Sequence, residues 1–149
     1  MAIKLLVADD HALLRQGIKR VLNFEPDFEV IGEASDGQEA LAQTLVLQPD
    51  VLLLDLNMPV LSGLEVARQL KIARSKSKIV VLTINDSDNH VLELLQSGAS
   101  GYLLKDVDPS MLNRAIRSVA AGDIFVYPKL ADRQFGGICA GEDLPERVQ

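Results

Sequence analysis

Val51-Leu52-Leu53-Leu54-Asp55 is an apolar run that stops on a carboxylate. Three other stretches have the same form: Leu5-Leu6-Val7-Ala8-Asp9-Asp10, Ile79-Val80-Val81-Leu82-Thr83 and Gly101-Tyr102-Leu103-Leu104-Lys105. Unbroken apolar runs, in place of strict alternation, suit strands of a parallel sheet covered on both faces. As neighbours in one such sheet, these runs bring three carboxylates, a hydroxyl and an ammonium to a single edge. It is the edge outside which open α/β sheets bind ligands. Asp55 stands at the centre of the group.

Working outward, strand-like runs fall near 3–8, 28–34, 51–54, 78–83 and 101–104, alternating with helix-like runs. Leu14, Ile18, Val21 and Leu22 recur at helical spacing, as do Leu61, Leu64, Ala67 and Leu70, and Met111, Ala115 and Val119. Ser62 reads as a helix N-cap, with Glu65 as its capping-box partner. Asp108-Pro109 reads as a cap followed by proline at the first helical position, and Gly122 ends that helix. The alternation predicts a doubly wound, five-stranded parallel sheet of flavodoxin-like (βα)5 type, strand order 2-1-3-4-5. That order makes the first and third strands neighbours, so Asp9, Asp10 and Asp55 meet, with Thr83 and Lys105 on the same edge. This domain is expected over residues 1–123. Residues 124–149 read as a linker or tail, helical from Pro128 to about Phe135 and flexible beyond.

Bulk properties narrow the function classes. A chain of 149 residues suits one domain plus a tail, and 48% hydrophobic with 24% charged residues is ordinary for a globular protein. The formal net charge of −6 argues against nucleic-acid binding by charge alone. The apolar stretch Leu5–Ala8 is too short for a signal peptide core or a membrane span, so no membrane role is expected. The single cysteine, Cys139, cannot form an internal disulfide, and the expected setting is reducing and cytoplasmic.

Carboxylates crowded at one edge repel each other unless a cation offsets them. Mg²⁺ suits a site with one or two direct carboxylates, since it retains waters and is completed by phosphate oxygens. Asp10 and Asp55 are the expected direct ligands, with the Asn57 backbone carbonyl, and Asp9 assisting through water. Asp55 can also attack phosphorus without a general base, because it is already ionised at neutral pH. Lys105 and Thr83 would then neutralise and orient the phosphoryl oxygens. His11 reads as an exposed first-turn residue, oxygen-only coordination being better suited to Mg²⁺. His90 reads as solvent-facing, while Leu92 and Leu95 are either core or partner surface.

With these residues assembled, the sequence resembles a response-regulator receiver (CheY-like) domain, more narrowly of the NarL/FixJ or LuxR type. The resemblance rests on Ala8-Asp9-Asp10-His11, Gly32-Glu-Ala-Ser-Asp-Gly37, Asp55 in Leu-Asp-Leu-Asn-Met-Pro, Ser62-Gly63-Leu64-Glu65, Thr83 and Tyr102-Leu-Leu-Lys105. It implies that Asp55 accepts phosphate from a sensor histidine kinase and that Thr83 and Tyr102 form the switch pair. It implies direct contact of Lys105 with the phosphoryl group. The switched face would comprise the fourth helix, the fifth strand and the helix after it. It also implies phosphorylation-dependent homodimerisation and transcriptional output, with DNA reached only through a C-terminal helix-turn-helix beyond these residues. The chain is expected to be a truncated regulator, with a stand-alone receiver as the alternative. Asp106 stands where many receivers carry a cis proline, which leaves that loop's conformation open. Ile84, a bulky residue after Thr83, is expected to restrict access to Asp55.

Rival functions share parts of this pattern. A haloacid dehalogenase-type phosphohydrolase also uses a strand-end Asp, but needs a second Asp two residues on as general acid. That position is Asn57 here. A flavin carrier of the same fold would have its phosphate loop beside Asp9 and Asp10, and no G-x-G-x-x-G follows the first strand. A non-phosphorylated interaction module would usually lose part of the acidic site. The expectation is therefore a phosphorylation switch that modifies itself, not an enzyme acting on a metabolite.

Overall fold

The strand-end pattern is realised in a computed structural model that describes residues 2–83, 93, 95–105 and 107–127. The elements are β1 (Ile3–Ala8), α1 (Ala12–Asn23), β2 (Phe28–Ala34), α2 (Gly37–Leu47), β3 (Val51–Asp55), α3 (Gly63–Ile72), β4 (Lys78–Thr83), β5 (Gly101–Leu104), α4 (Pro109–Ala120) and β6 (Phe125–Tyr127). Ile84, His90, Leu92, Asp106, Cys139 and the helix expected from Pro128 lie outside the described residues. Leu95 is described, and it packs against the core.

The sheet runs β2-β1-β3-β4-β5-β6, all parallel. The order of its first five strands is the one expected from the sequence. The sixth strand was not anticipated and lies within the stretch read as linker. Gly101, Tyr102 and Leu103 pair with Phe125, Val126 and Tyr127. An aromatic and β-branched triplet suits a strand and takes up edge groups that β5 would otherwise leave bare. Three residues are too few for a periodic signal, which is why the sequence pattern did not reveal it.

Side chains on successive strand residues go to opposite faces. Leu6, Leu52, Leu54 and Val81 share one core cluster with Val66, Ala67 and Leu70 of α3 and Ala40 of α2. Leu5, Leu53, Val80 and Leu103 share the other with Ile18 and Leu22 of α1 and Leu112, Ile116 and Val119 of α4. Each fully buried leucine contributes about 2 kcal/mol through the water it sheds. Burial on both faces thus explains why the strands carry no alternating pattern.

The helix ends follow local chemistry. Asp108 Oδ1 accepts from the Met111 N–H at 2.9 Å, and Pro109 takes the first turn of α4. That helix closes with Gly122 at φ 103°, its N–H bonded to Val119 O and the Asp123 N–H to Ser118 O. This is a Schellman end, and the left-handed glycine makes it inexpensive. Ser62 Oγ caps α3 by accepting from the Glu65 N–H at 3.2 Å. The expected capping box is only half formed, because Glu65 Oε2 accepts from Gln69 Nε2 at 2.9 Å further along the helix. At α2 the N-cap Asp36 accepts from the Glu39 N–H, and Glu39 reaches back past the cap to accept from the N–H of Ser35, the residue before it.

Among the described residues, the loop between β3 and α3 carries the one β-branched residue in the left-handed region. Val60 has φ 73° and is 74% exposed. A branched L side chain there costs on the order of 1–2 kcal/mol. Val60→Gly is expected to increase unfolding free energy by about 1 kcal/mol, glycine's entropy cost offsetting part of the gain. Urea titration at equilibrium measures the change, and an unchanged or lowered midpoint would show that Val60 is not strained.

Candidate functional site

Parallel register sets the site. Ala8 pairs with Leu54, Asp55 with Leu82 and Thr83 with Leu104, so the residues that end or follow these strands lie side by side. Asp9 and Asp55 are 1% and 2% exposed, and Thr83 is fully buried. Lys105 reaches in from the end of β5, its N–H donating to Thr83 O at 2.8 Å. Its Nζ lies 3.0 Å from Asp9 Oδ2 and 3.1 Å from Asp55 Oδ1. Asp55 Oδ1 also accepts from the Asn57 N–H at 3.2 Å. Asp55 Oδ2 is buried and has no hydrogen-bond partner among the described residues.

Burial pushes the Asp55 carboxyl above its ordinary pKa; Lys105 opposes this and the neighbouring charge of Asp9 adds to it. Burial works against the Lys105 charge, but hydrogen bonds to Asp9 and Asp55 outweigh it and hold the ammonium above its usual pKa. Lys105 therefore stays charged and is shared between two carboxylates. One ammonium against two buried anions leaves the pocket net negative.

The turn after β1 has its own anchor. Arg15 Nη1 donates to Asp9 O at 2.6 Å, while its Nε donates to Glu33 Oε1 on β2 at 2.7 Å. Glu33 lies below its usual pKa because Lys19 and Arg15 both donate to it. On the other side of Asp55, Gly63 admits close approach: a Cβ there would stand 2.7 Å from Asp55 O. A Cβ on Gly37 would stand 1.9 Å from Leu61 O. Both ends of the loop that follows Asp55 are thus packed against backbone. Arg15 escapes sequence reasoning because an arginine on an amphipathic helix looks like any solvated residue.

Each sequence-predicted site residue is described. Asp9, Asp10, Asp55, Thr83 and Lys105 share the edge. Tyr102 is 1% exposed and belongs to the core cluster on the α3 side. Asn57 is exposed. His11 is 68% exposed, as expected, but it is the N-cap of α1 and not a first-turn residue. Its ring also touches the acidic pair: Nδ1 is 3.2 Å from both Asp9 Oδ1 and Asp10 Oδ1. Ligand atoms from Asp9, Asp10, His11 and Asp55 all lie within 4.8 Å of one another. The residues fit a divalent cation, since the buried, unpartnered Asp55 Oδ2 and a net negative pocket both call for positive charge. A cleft of about 720 Å³ bounded by Thr44, Gln48, Arg74 and Lys76 lies at the opposite ends of the strands, away from this group.

With a doubly wound sheet and an acidic pocket at its carboxyl edge, the comparisons with known proteins agree on one class. Residues 5–117 match the response regulator receiver domain, and the chain belongs to that family. Among its relatives, the transcriptional regulatory protein DegU of Brevibacillus brevis is 41% identical over 128 residues, 86% of this chain and 54% of that protein. The nitrate/nitrite response regulator NarL of Escherichia coli K12 is 37% identical over 143 residues, 96% of this chain and 66% of that protein. The chain thus spans between about half and two thirds of these curated relatives. The receiver domain of a NarL from Mycobacterium tuberculosis superposes with a TM-score of 0.79 at 35% identity, covering 81% of this chain and 98% of that one. A LuxR-family response regulator from Aurantimonas gives 0.85 at 28% identity and covers 100% of both chains. No described helix is long and apolar enough to cross a membrane.

Two measurements probe the site without any ligand. Because the Asp55 pKa is raised, its ionised form burdens the folded state at neutral pH, and that burden disappears once the group is protonated in both states. In divalent-free buffer at pH 7, Asp55→Asn is expected to melt a few degrees above wild type. The gain should vanish below about pH 4. A variant that melts lower at pH 7 would show that the Lys105 pairing outweighs desolvation. Arg15→Ala should lower stability by about 1–3 kcal/mol, leaving Glu33 and Asp9 O without their shared donor. Arg15→Lys should recover little of this, since a single ammonium does not supply the guanidinium's two divergent donors.

Proposed function

We propose that this chain is the phosphoryl-accepting switch of a two-component system, with Asp55 as acceptor and a sensor histidine kinase as donor. The observation that carries the reading is the asymmetry of the Asp55 carboxylate. Oδ1 is held by Lys105 and the Asn57 N–H, whereas Oδ2 has no hydrogen-bond partner among the described residues. Oδ2 is the oxygen available to attack phosphorus. The new O–P bond forms as the N–P bond of the donor's phosphohistidine breaks, its electron pair returning to the imidazole nitrogen. Attack needs no general base, the carboxylate being the nucleophile.

Asp10 and Asp55, with the Asn57 carbonyl, would hold Mg²⁺, and Asp9 would support it through water. Bound there, Mg²⁺ supplies positive charge opposite the phosphoryl oxygens. Lys105 exchanges part of its pairing with Asp55 for the phosphoryl group, and Thr83, fully buried at the adjacent strand end, orients it. Thr83 and Tyr102 then bias a two-state equilibrium. Asn57 offers no carboxylate to protonate a leaving group or activate water. That favours an aspartyl phosphate that persists over one that turns over. Transcriptional output through a C-terminal DNA-binding domain and phosphorylation-dependent dimerisation belong to the same reading, supported by relatives named as transcriptional and nitrate/nitrite regulators.

Intact mass after incubation with acetyl phosphate and Mg²⁺ tests the assignment. Wild type should gain one phosphate, Asp55→Asn none, and Lys105→Ala about tenfold less at equal time. Equal phosphate on wild type and Asp55→Asn would place the acceptor elsewhere.

A further inference from the structure

We infer that His11 adds a nitrogen donor to the acidic pocket and makes it a site for a first-row transition dication as well as for Mg²⁺. The inference rests on reading the pocket as a cation site and is independent of phosphoryl acceptance. His11 occupies the N-cap of α1, yet its side chain makes no capping bond. The ring instead sits with Nδ1 3.2 Å from Asp9 Oδ1 and 3.2 Å from Asp10 Oδ1. An exposed imidazole–carboxylate contact adds little to stability, so this placement has little structural work to do.

Its ligand atom lies within 4.8 Å of one from each of Asp9, Asp10 and Asp55. Asp55 also carries Oδ2, buried and without a hydrogen-bond partner among the described residues. Mg²⁺ favours oxygen and retains water, so an imidazole adds little to its binding. Co²⁺, Ni²⁺ and Zn²⁺ gain from a nitrogen donor and follow the Irving–Williams order. His11 thereby sets which cation the pocket prefers, and a transition dication would compete with Mg²⁺ for it.

Co²⁺ is a suitable probe because its visible absorption reports a nitrogen ligand. The whole chain, stripped of divalent ions, is titrated with Co²⁺ by calorimetry and absorption, and with Mg²⁺ by amide chemical shifts. Wild type, His11→Ala and His11→Gln are compared, with thermal melts confirming that each variant is folded. Both variants are expected to bind Co²⁺ about tenfold more weakly and to lose the nitrogen-ligand absorption, while Mg²⁺ affinity stays within about twofold. Unchanged Co²⁺ binding, or equal loss for both cations, would overturn the inference. Failure of the wild type to bind Co²⁺ overturns it too, whether or not Asp55 accepts phosphate in the mass assay.

Discussion

Asp9 and Asp55 are charged groups held at the ends of strands whose preceding residues are fully buried, and Lys105 is the counter-charge that both share. Isolated ions in such a place would be costly, so the pocket persists only where that ammonium is delivered to it. Delivery depends on β5 lying beside β4 with Lys105 N–H bonded to Thr83 O. It depends equally on β1 lying beside β3. Strand order, core and site are therefore one problem: the apolar runs settle the sheet, and the sheet brings three charges within about 3 Å contacts.

The surroundings hold those charges without neutralising them fully. Arg15 ties the turn after β1 to Glu33 on β2, and close-packed glycines fix the loop after β3. Both are rigid supports for a pocket that remains net negative. Such a pocket is poised for cations and for an electrophile, and it disfavours free anionic ligands such as a flavin phosphate. A further ionic clamp joins α4 to the segment before β2, where Arg117 pairs with Glu25 and Asp27 over the Phe28 ring. It contributes to the domain's closure, not to the pocket.

Much of the fold was legible because two-sided burial writes itself as unbroken apolar runs. The strands near 3–8, 28–34, 51–54 and 78–83 and the caps at Ser62 and Asp108 follow from local chemistry alone. Val66, Leu112 and Ile116 were missed as core residues because a helix packed on a sheet buries a stripe broader than one heptad-like row. β6 was missed because its three residues gain their structure from the free edge of β5. His11 was read as a bystander because nothing in its spacing says which way an N-cap ring turns.

By itself, then, the sequence determined which residues end the strands and what chemistry they carry: carboxylates at 9, 10 and 55, a hydroxyl at 83, an ammonium at 105. Only the tertiary structure decided how they share charge. Lys105 is split between Asp9 and Asp55, one oxygen of Asp55 is left without a partner among the described residues, and His11 turns toward the acidic pair. The reason is physical. Strand-end identity is a local property of the chain, whereas desolvation and pairing depend on distances set by residues far apart in sequence.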